Sequence, residues 1–492
     1  MQRGSGILLH ISSLPSPYGI GTMGKEAYTF VDFLESAGQK YWQILPLGPT
    51  SYGDSPYQSF STFAGNPYFI DFDLLAEDGA LKPEDYNTLS WGDGADSVDY
   101  ARIFEQRFDV LKKAWNRDKT RLGAELTEFR TENAYWIENY AMYMALKFDF
   151  DQLSYQEWDA DIKLRKPEAM TAAYSRLSEE IGFWIYVQYR FFEQWNALKA
   201  YANDKGISII GDIPIYVAED SADAWAHNEI LMLGEDRVPI KVAGCPPDYF
   251  AAKGQLWGNP LYDWDALKDR NYEWWIARMR AALSMYDIVR IDHFRGFSAF
   301  YSIPYGRDDA VVGAWMPGPG MDFFHALHRE LGDDLPIIAE DLGLLDDGVR
   351  GLLKDTDFPG MKVVQFGLTP GQNSEYLPHN YPKNTVAYIG THDNNTLRGW
   401  FEEESEAVQD FALAYMRAGS KQFHWGFIET MLGSPADTVV FMAQDLLGLN
   451  KTARMNTPST LGGNWMWRLK DMDCFTPAMA EKLRKLCEVY SR

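Results

Sequence analysis

The chain of 492 residues predicts an α/β fold, a (β/α)8 TIM barrel with large, mostly helical insertions and no C-terminal β-sandwich. Three observations carry this reading. Short apolar runs rich in β-branched residues recur eight times. Helical patterns separate most of them, as in a parallel sheet covered by helices. Acidic residues stand at the ends of several runs, where barrels of this kind keep their chemistry.

The first run is 6–14 (GILLHISSL). Apolar positions Ala27, Phe30 and Leu34 then mark a helix over 24–37, and Gly38 caps it. The second run is 41–47 (YWQILPL), the third 207–215 (ISIIGDIPI) and the fourth 287–293 (DIVRIDH). The fifth is 336–341 (PIIAED), the sixth 362–367 (KVVQFG), the seventh 385–393 (TVAYIGTHD) and the eighth 437–446 (DTVVFMAQDL). Barrels of this type take about 250 residues, so roughly half of the chain is insertion. The largest surplus, 71–180, follows the second strand and reads as a helical subdomain. In it Phe104, Phe108, Leu111 and Trp115 form one expected buried face, and Trp136, Tyr140 and Tyr143 another. Trp184, Phe191, Trp195 and Leu198 mark the barrel helix that leads into the third strand. A second surplus, 217–271, follows that strand and reads as loop-rich. No repeat or low-complexity linker divides the chain, so 1–492 reads as a single catalytic barrel. After the eighth strand there is room only for a Gly-rich loop and one helix near 479–490.

Hydrophobic content of 46% and aromatic content of 15% supply an ample core. A net charge of -24 argues against nucleic acid or an anionic membrane as partner and suits a neutral ligand. Cys245, Cys474 and Cys487 lack metal-type spacing, and the expectation is a cytoplasmic protein without signal peptide or membrane span. Monomer and homodimer are equally compatible with the sequence.

In the fourth strand Arg290 and Asp292 alternate with Ile291 and so share a face. An internal ion pair is the competing reading of such an Arg–x–Asp. The functional one is that Arg290 keeps Asp292 ionised, with a lowered pKa, as a nucleophile. The other strand ends favour the second reading: Asp212, His293, Glu340, Asp341, His392 and Asp393 all fall where they converge on one mouth. Glycoside chemistry needs one ionised and one protonated carboxyl, about 5–5.5 Å apart in a retaining enzyme. Glu340, behind Ile337, Ile338 and Ala339, is the expected acid. His293 and His392 lack ligand spacing and read as partners of sugar hydroxyls, with no metal and no cofactor. GIGTMG at 19–24 matches a dinucleotide pattern but lacks its strand and acidic partner, and is read as a decoy. Tyr57 and Trp257, in loops rich in aromatics and amides, are expected to stack on pyranose rings.

With SSLPSPYGIG, SPYQSFSTFAGNPYFID, GDIPIYVAEDSADAW, GQLWGNPLYDW, VRIDHFRG, IIAEDLG, GTHDNNT and GGNWMWR in this order, the chain resembles the amylomaltases, the 4-α-glucanotransferases of glycoside hydrolase family 77. The resemblance covers nearly the whole chain. It implies transfer of α-1,4-glucan segments, with maltooligosaccharides, amylose, starch or glycogen fragments as partners and cyclic glucans as a further product. It makes Asp292 the nucleophile, Glu340 the general acid/base and Asp393 the transition-state stabiliser. It places Arg290, Asp212 and His392 around the reacting subsite, and Tyr57, Asp248, Trp257 and Asn464 along the glucan. Cys245, Ala251 and Ser459 depart from the family pattern. An α-1,4-glucan hydrolase with the same three acids is the alternative.

Overall fold

The computed structural model describes residues 2–492 except 51, 52, 93, 248–250, 344 and 420. Asp248, expected along the glucan, lies outside the described residues. In chain order the strands are β1 (Gly4–Leu8), β2 (Tyr41–Gln43), β3 (Ser208–Pro214), β4 (Lys241–Cys245), β5 (Gln255–Pro260) and β6 (Ile288–Asp292). They continue as β7 (Ala299–Pro304), β8 (Ala314–Pro317), β9 (Ile337–Ala339), β10 (Gly360–Val363), β11 (Thr385–Tyr388) and β12 (Thr438–Met442).

Eight of these form one parallel sheet in the order β10-β11-β12-β1-β2-β3-β6-β9. Ala339 N–H donates to the Pro359 carbonyl at 3.0 Å and closes the sheet into a barrel. All eight sequence runs are therefore barrel strands. They are shorter than the runs because the apolar pattern continues past the ladder: 364–367 becomes a 3-10 turn and Ala443–Leu446 a helical turn. No strand follows β12 among the described residues, and helix Pro477–Val489 ends the fold.

Alternation sorts each strand's side chains between two cores. Leu8, Tyr41, Ile210, Ile288, Ile338, Met361, Val363, Val386, Tyr388, Val440 and Met442 pack together inside the barrel. Ile7, Ile209, Val289, Ile291, Ile337, Ala339, Ala387 and Val439 join the larger core beneath the helices. This parity aims the polar residues. Two positions beyond Ile210 comes Asp212, two and four beyond Ile288 come Arg290 and Asp292, and two beyond Ile338 comes Glu340.

Between β2 and β3 the chain is helical, packed on the long helix Ser178–Asp204. Trp136, Tyr140, Tyr143, Trp184, Phe191, Trp195 and Leu198 are buried as expected. Helix Tyr100–Asp118 is turned by one position from its expected face: Ile103, Arg107, Val110, Leu111, Ala114 and Asp118 are buried, whereas Phe104 is 40% exposed. The aromatics sit at the edge of the stripe, where Phe104 stacks on Phe148 and Phe108 meets the Trp184 ring. Its inner face carries two charged residues, Arg107 and Asp118, among the apolar ones, and Asp118 is met by the neighbouring helix. Arg190 pairs with Asp118, with Asp78 at 2.5 Å and with Glu193 at 2.7 Å. Arg121 reaches Asp118 at 2.7 Å and Asp78 at 2.6 Å, and Tyr186 Oη donates to Asp118 at 2.9 Å.

The segment read as loop-rich contains β4 and β5, which pair antiparallel with each other; β4 also pairs with β7, and β7 with β8. This small sheet is a finding the sequence did not predict. The GIGTMG run precedes helix Lys25–Ser36, and a Cβ at Gly24 would stand 2.1 Å from an Asp71 carboxylate oxygen. An acid so placed excludes a phosphate cradle. No described helix is long and apolar enough to cross a membrane.

Candidate active site

Register brings the inward polar residues of adjacent strands side by side. Asp212 of β3 lies opposite Arg290 of β6, and Ile291 lies opposite Ala339, one residue before Asp292 and Glu340 respectively. Arg290 Nη1 donates to Asp212 Oδ2 at 2.6 Å and Nη2 to Asp292 Oδ1 at 2.9 Å. Tyr57 Oη donates to the same Asp212 oxygen at 2.8 Å. Asp212 is 0% exposed. It stands one layer beneath the mouth and reaches the site through Arg290 and Tyr57. Its other oxygen, Oδ1, has no hydrogen-bond partner among the described residues.

Glu340 is gripped by main chain. His293 N–H donates to Oε2 at 2.8 Å and Leu342 N–H to Oε1 at 2.9 Å. His293 itself adopts left-handed backbone, φ 57°, directly after β6 ends at Asp292. Such a conformation in a residue with a side chain is uncommon and costs about 1–3 kcal/mol, so the surrounding contacts must hold it.

Burial among the walls of the mouth raises the Glu340 pKa to about 7, and the Asp292 charge adds to this, against Arg290 and the two N–H donors. Asp292 is likewise raised, to about 6, by burial above all; Arg290 opposes and the Asp212 and Asp393 charges assist. The sequence reading had Arg290 lowering the Asp292 pKa outright. The correction is that desolvation outweighs the guanidinium. Arg290 opposes that rise through its bond to Asp292 and acts on Glu340 as well.

Asp393 belongs to the same cluster, since its charge is felt by Asp292. Its carboxylate is 43% exposed. Asn456 Nδ2 donates to its Oδ1 at 2.6 Å, and His392 Nε2 stands 3.4 Å from its Oδ2. His392 is buried and stacks on the Tyr57 ring, centroids 5.1 Å apart at 16°. Trp465, itself buried, tilts against both rings. Across the mouth the Trp257 ring of β5 meets the His293 ring edge-on at 4.7 Å. Burial, with Arg295 adding, drops the His293 pKa to about 3, so its ring is neutral at working pH. Asn464 is engaged within its own loop: Oδ1 accepts Thr457 N–H at 2.9 Å and Nδ2 donates to Thr460 Oγ1 at 3.0 Å.

The structure thus gathers Asp292, Glu340, Asp393, Arg290, His392, His293, Tyr57 and Trp257 at one mouth, above Asp212. Trp465, Asn456 and Arg454 are the neighbours that sequence reasoning passed over. Only Trp465 left a trace, as the residue after Asn464 in GGNWMWR.

A family model described as 4-alpha-glucanotransferase matches residues 9–474. A 4-alpha-glucanotransferase of Clostridium butyricum is 49% identical over 98% of this chain and 100% of its own. One of Thermus thermophilus is 43% identical over 100% of this chain and 99% of its own. Among solved structures, the amylomaltase from Streptococcus agalactiae in complex with acarbose matches with a TM-score of 0.97 at 45% identity, covering 100% of both chains. Barrel, mouth and full-length likeness agree, and the chain belongs to the 4-alpha-glucanotransferase family, the amylomaltases of glycoside hydrolase family 77.

Proposed function

We propose that the chain transfers α-1,4-glucan segments to the 4-hydroxyl of another glucan, or of glucose, by a retaining double displacement. Asp292 attacks the anomeric carbon while the Glu340 proton passes to the departing glycosidic oxygen. The first chain leaves and a glucosyl ester of Asp292 remains. Glu340, now ionised, takes the proton from an incoming 4-hydroxyl as that oxygen attacks the anomeric carbon and the ester bond breaks. Configuration is retained, and a long glucan reaching its own tail gives a ring by the same steps.

The observation that carries this reading is the unequal treatment of two neighbouring acids. One is bonded to a guanidinium, and the other is desolvated and pushed to about 7. That contrast in partners supports Asp292 as the nucleophile and Glu340 as the acid. Asp393 binds ring hydroxyls and stabilises the transition state. His392 and His293 hydrogen-bond the sugar, Tyr57 and Trp257 offer ring faces, and Asp248 and Asn464 bind the glucan further along its length. The streptococcal relative, solved in complex with acarbose, supports a glucan as the class of substrate. Segments 71–180 and 217–271 act as insertions that shape the acceptor side, where a held acceptor must outcompete water.

Incubation with maltotriose tests the proposal. Transfer yields glucose and a ladder of longer chains with nearly constant total reducing ends. A steady rise in reducing ends replaces it with the hydrolase reading.

A further inference from the structure

We propose that Asn456 is a positioning residue for the reaction: it fixes the direction of the Asp393 carboxylate without neutralising it. The inference rests on the reading of Asp393 as the acid that stabilises the transition state.

Asp393 is more open than the nucleophile, with 43% of its side chain exposed, against 31% for Asp292. A carboxylate that faces water on a two-torsion side chain has several rotamers available. Only one direction serves a sugar at the mouth. The 454–456 segment, which follows β12, restricts that choice at three points. Asn456 N–H donates to the His392 carbonyl at 3.1 Å. Arg454 Nη2 donates to the Asp393 carbonyl at 2.8 Å, and Arg454 Nε to the Asn456 carbonyl at 2.7 Å. Asn456 Nδ2 then takes Asp393 Oδ1 at 2.6 Å, which leaves Oδ2 beside His392 Nε2.

The division of labour between the two side chains is informative. The cation of Arg454 is hydrogen-bonded to main-chain carbonyls, and the group on the carboxylate itself is a neutral amide. An arginine or lysine there would quench the negative charge that an oxocarbenium-like transition state needs. An amide supplies direction and leaves the charge in place. The second strut of the loop, Trp465 N–H to the Met455 carbonyl at 2.7 Å, ties this clasp to the ring that leans on Tyr57 and His392.

Three variants in the full chain test the proposal, with maltotriose disproportionation as the assay. Asn456→Ala is expected to lower kcat about 10- to 100-fold, the cost of a misdirected group, with KM within about threefold and an unchanged melting temperature. Asn456→Asp keeps the shape but loses the donor when ionised, and regains an O–H donor when protonated. Its activity relative to the parent is therefore expected to climb at least about fivefold from pH 8 to pH 5, a response that a merely structural role does not produce. Asp393→Asn gives the reference. If it is inactive, and the double variant Asp393→Asn/Asn456→Ala is no worse, the two residues act as one unit. A kcat for Asn456→Ala within threefold of the parent overturns the proposal, as does a flat Asn456→Asp ratio. Full transfer by Asp393→Asn overturns instead the reading of Asp393 on which it rests.

Discussion

Two ionic clusters among the described residues, one in the helical insertion and one at the barrel mouth, are balanced differently. In the helical insertion, Asp118 uses both oxygens, one on Arg121 and one on Arg190 and Tyr186, and Asp78 is shared by the same two arginines. Burial works against Asp78, yet the bonds from Arg121 and Arg190 hold its pKa below the ordinary carboxylate value. At the barrel mouth one guanidinium, that of Arg290, bonds Asp212 and Asp292, while among the described residues Glu340 has main-chain donors and Asp393 an amide. Among the described residues Asp212 Oδ1 has no hydrogen-bond partner, and Asp292 and Glu340 are both pushed up. A charge cluster whose members satisfy each other holds structure together. One with acids in excess is poised for proton transfer and nucleophilic attack.

Three experiments break or sharpen that contrast. The largest effect is expected from Asp292→Asn, which removes the nucleophile: transfer should fall about 10⁴-fold or more while the protein still folds and binds maltooligosaccharide, as measured by single-turnover assay and calorimetry. Next comes Glu340→Gln, with a loss of about 10²- to 10⁴-fold. The pH profile of the parent gives the sign. Raising pH through about 7 strips the acid of its proton, and lowering pH through about 6 protonates the nucleophile. A narrow bell of kcat/KM between those limbs is expected, and its alkaline limb should vanish in Glu340→Gln. The smallest kinetic effect is expected from the other cluster. Asp118→Ala takes from Arg190 its fully buried partner but leaves it Asp78 and Glu193, and should cost about 1–3 kcal/mol of stability, read as a lower melting temperature. Its kcat on the folded enzyme should stay that of the parent. A large loss of kcat with intact stability would erase the distinction between the two regions.

The barrel was legible because its strands are buried on both faces and so read as apolar, β-branched runs, several of them carrying an acidic residue near the end. Parity along 288–292 alone places Arg290 and Asp292 together. The small sheet was not legible for the opposite reason. Its central strand, β4, contains Gly244 and Cys245 and pairs with β7 across the intervening barrel strand β6, so no local pattern announces it. The face of helix Tyr100–Asp118 was misread because Phe104 and Phe108 outshine Arg107 on a hydrophobicity scale, whereas the buried Asp118–Arg190 pair is what draws that side inward. Asp212 looked like a mouth residue from its strand position, but Tyr57 and Arg290 cover it. Asn456 gave no signal at all, since a single amide in a loop acquires meaning only from the residue it faces.

The grip on Glu340 comes from the amides of residues 293 and 342, which every amino acid except proline possesses. Ordinary side-chain replacement cannot delete it. Libraries that vary the rim can therefore reshape which sugars are accepted while this anchor persists. Retuning the working pH must go through what is editable: the neighbouring charges and the wetness of the cleft.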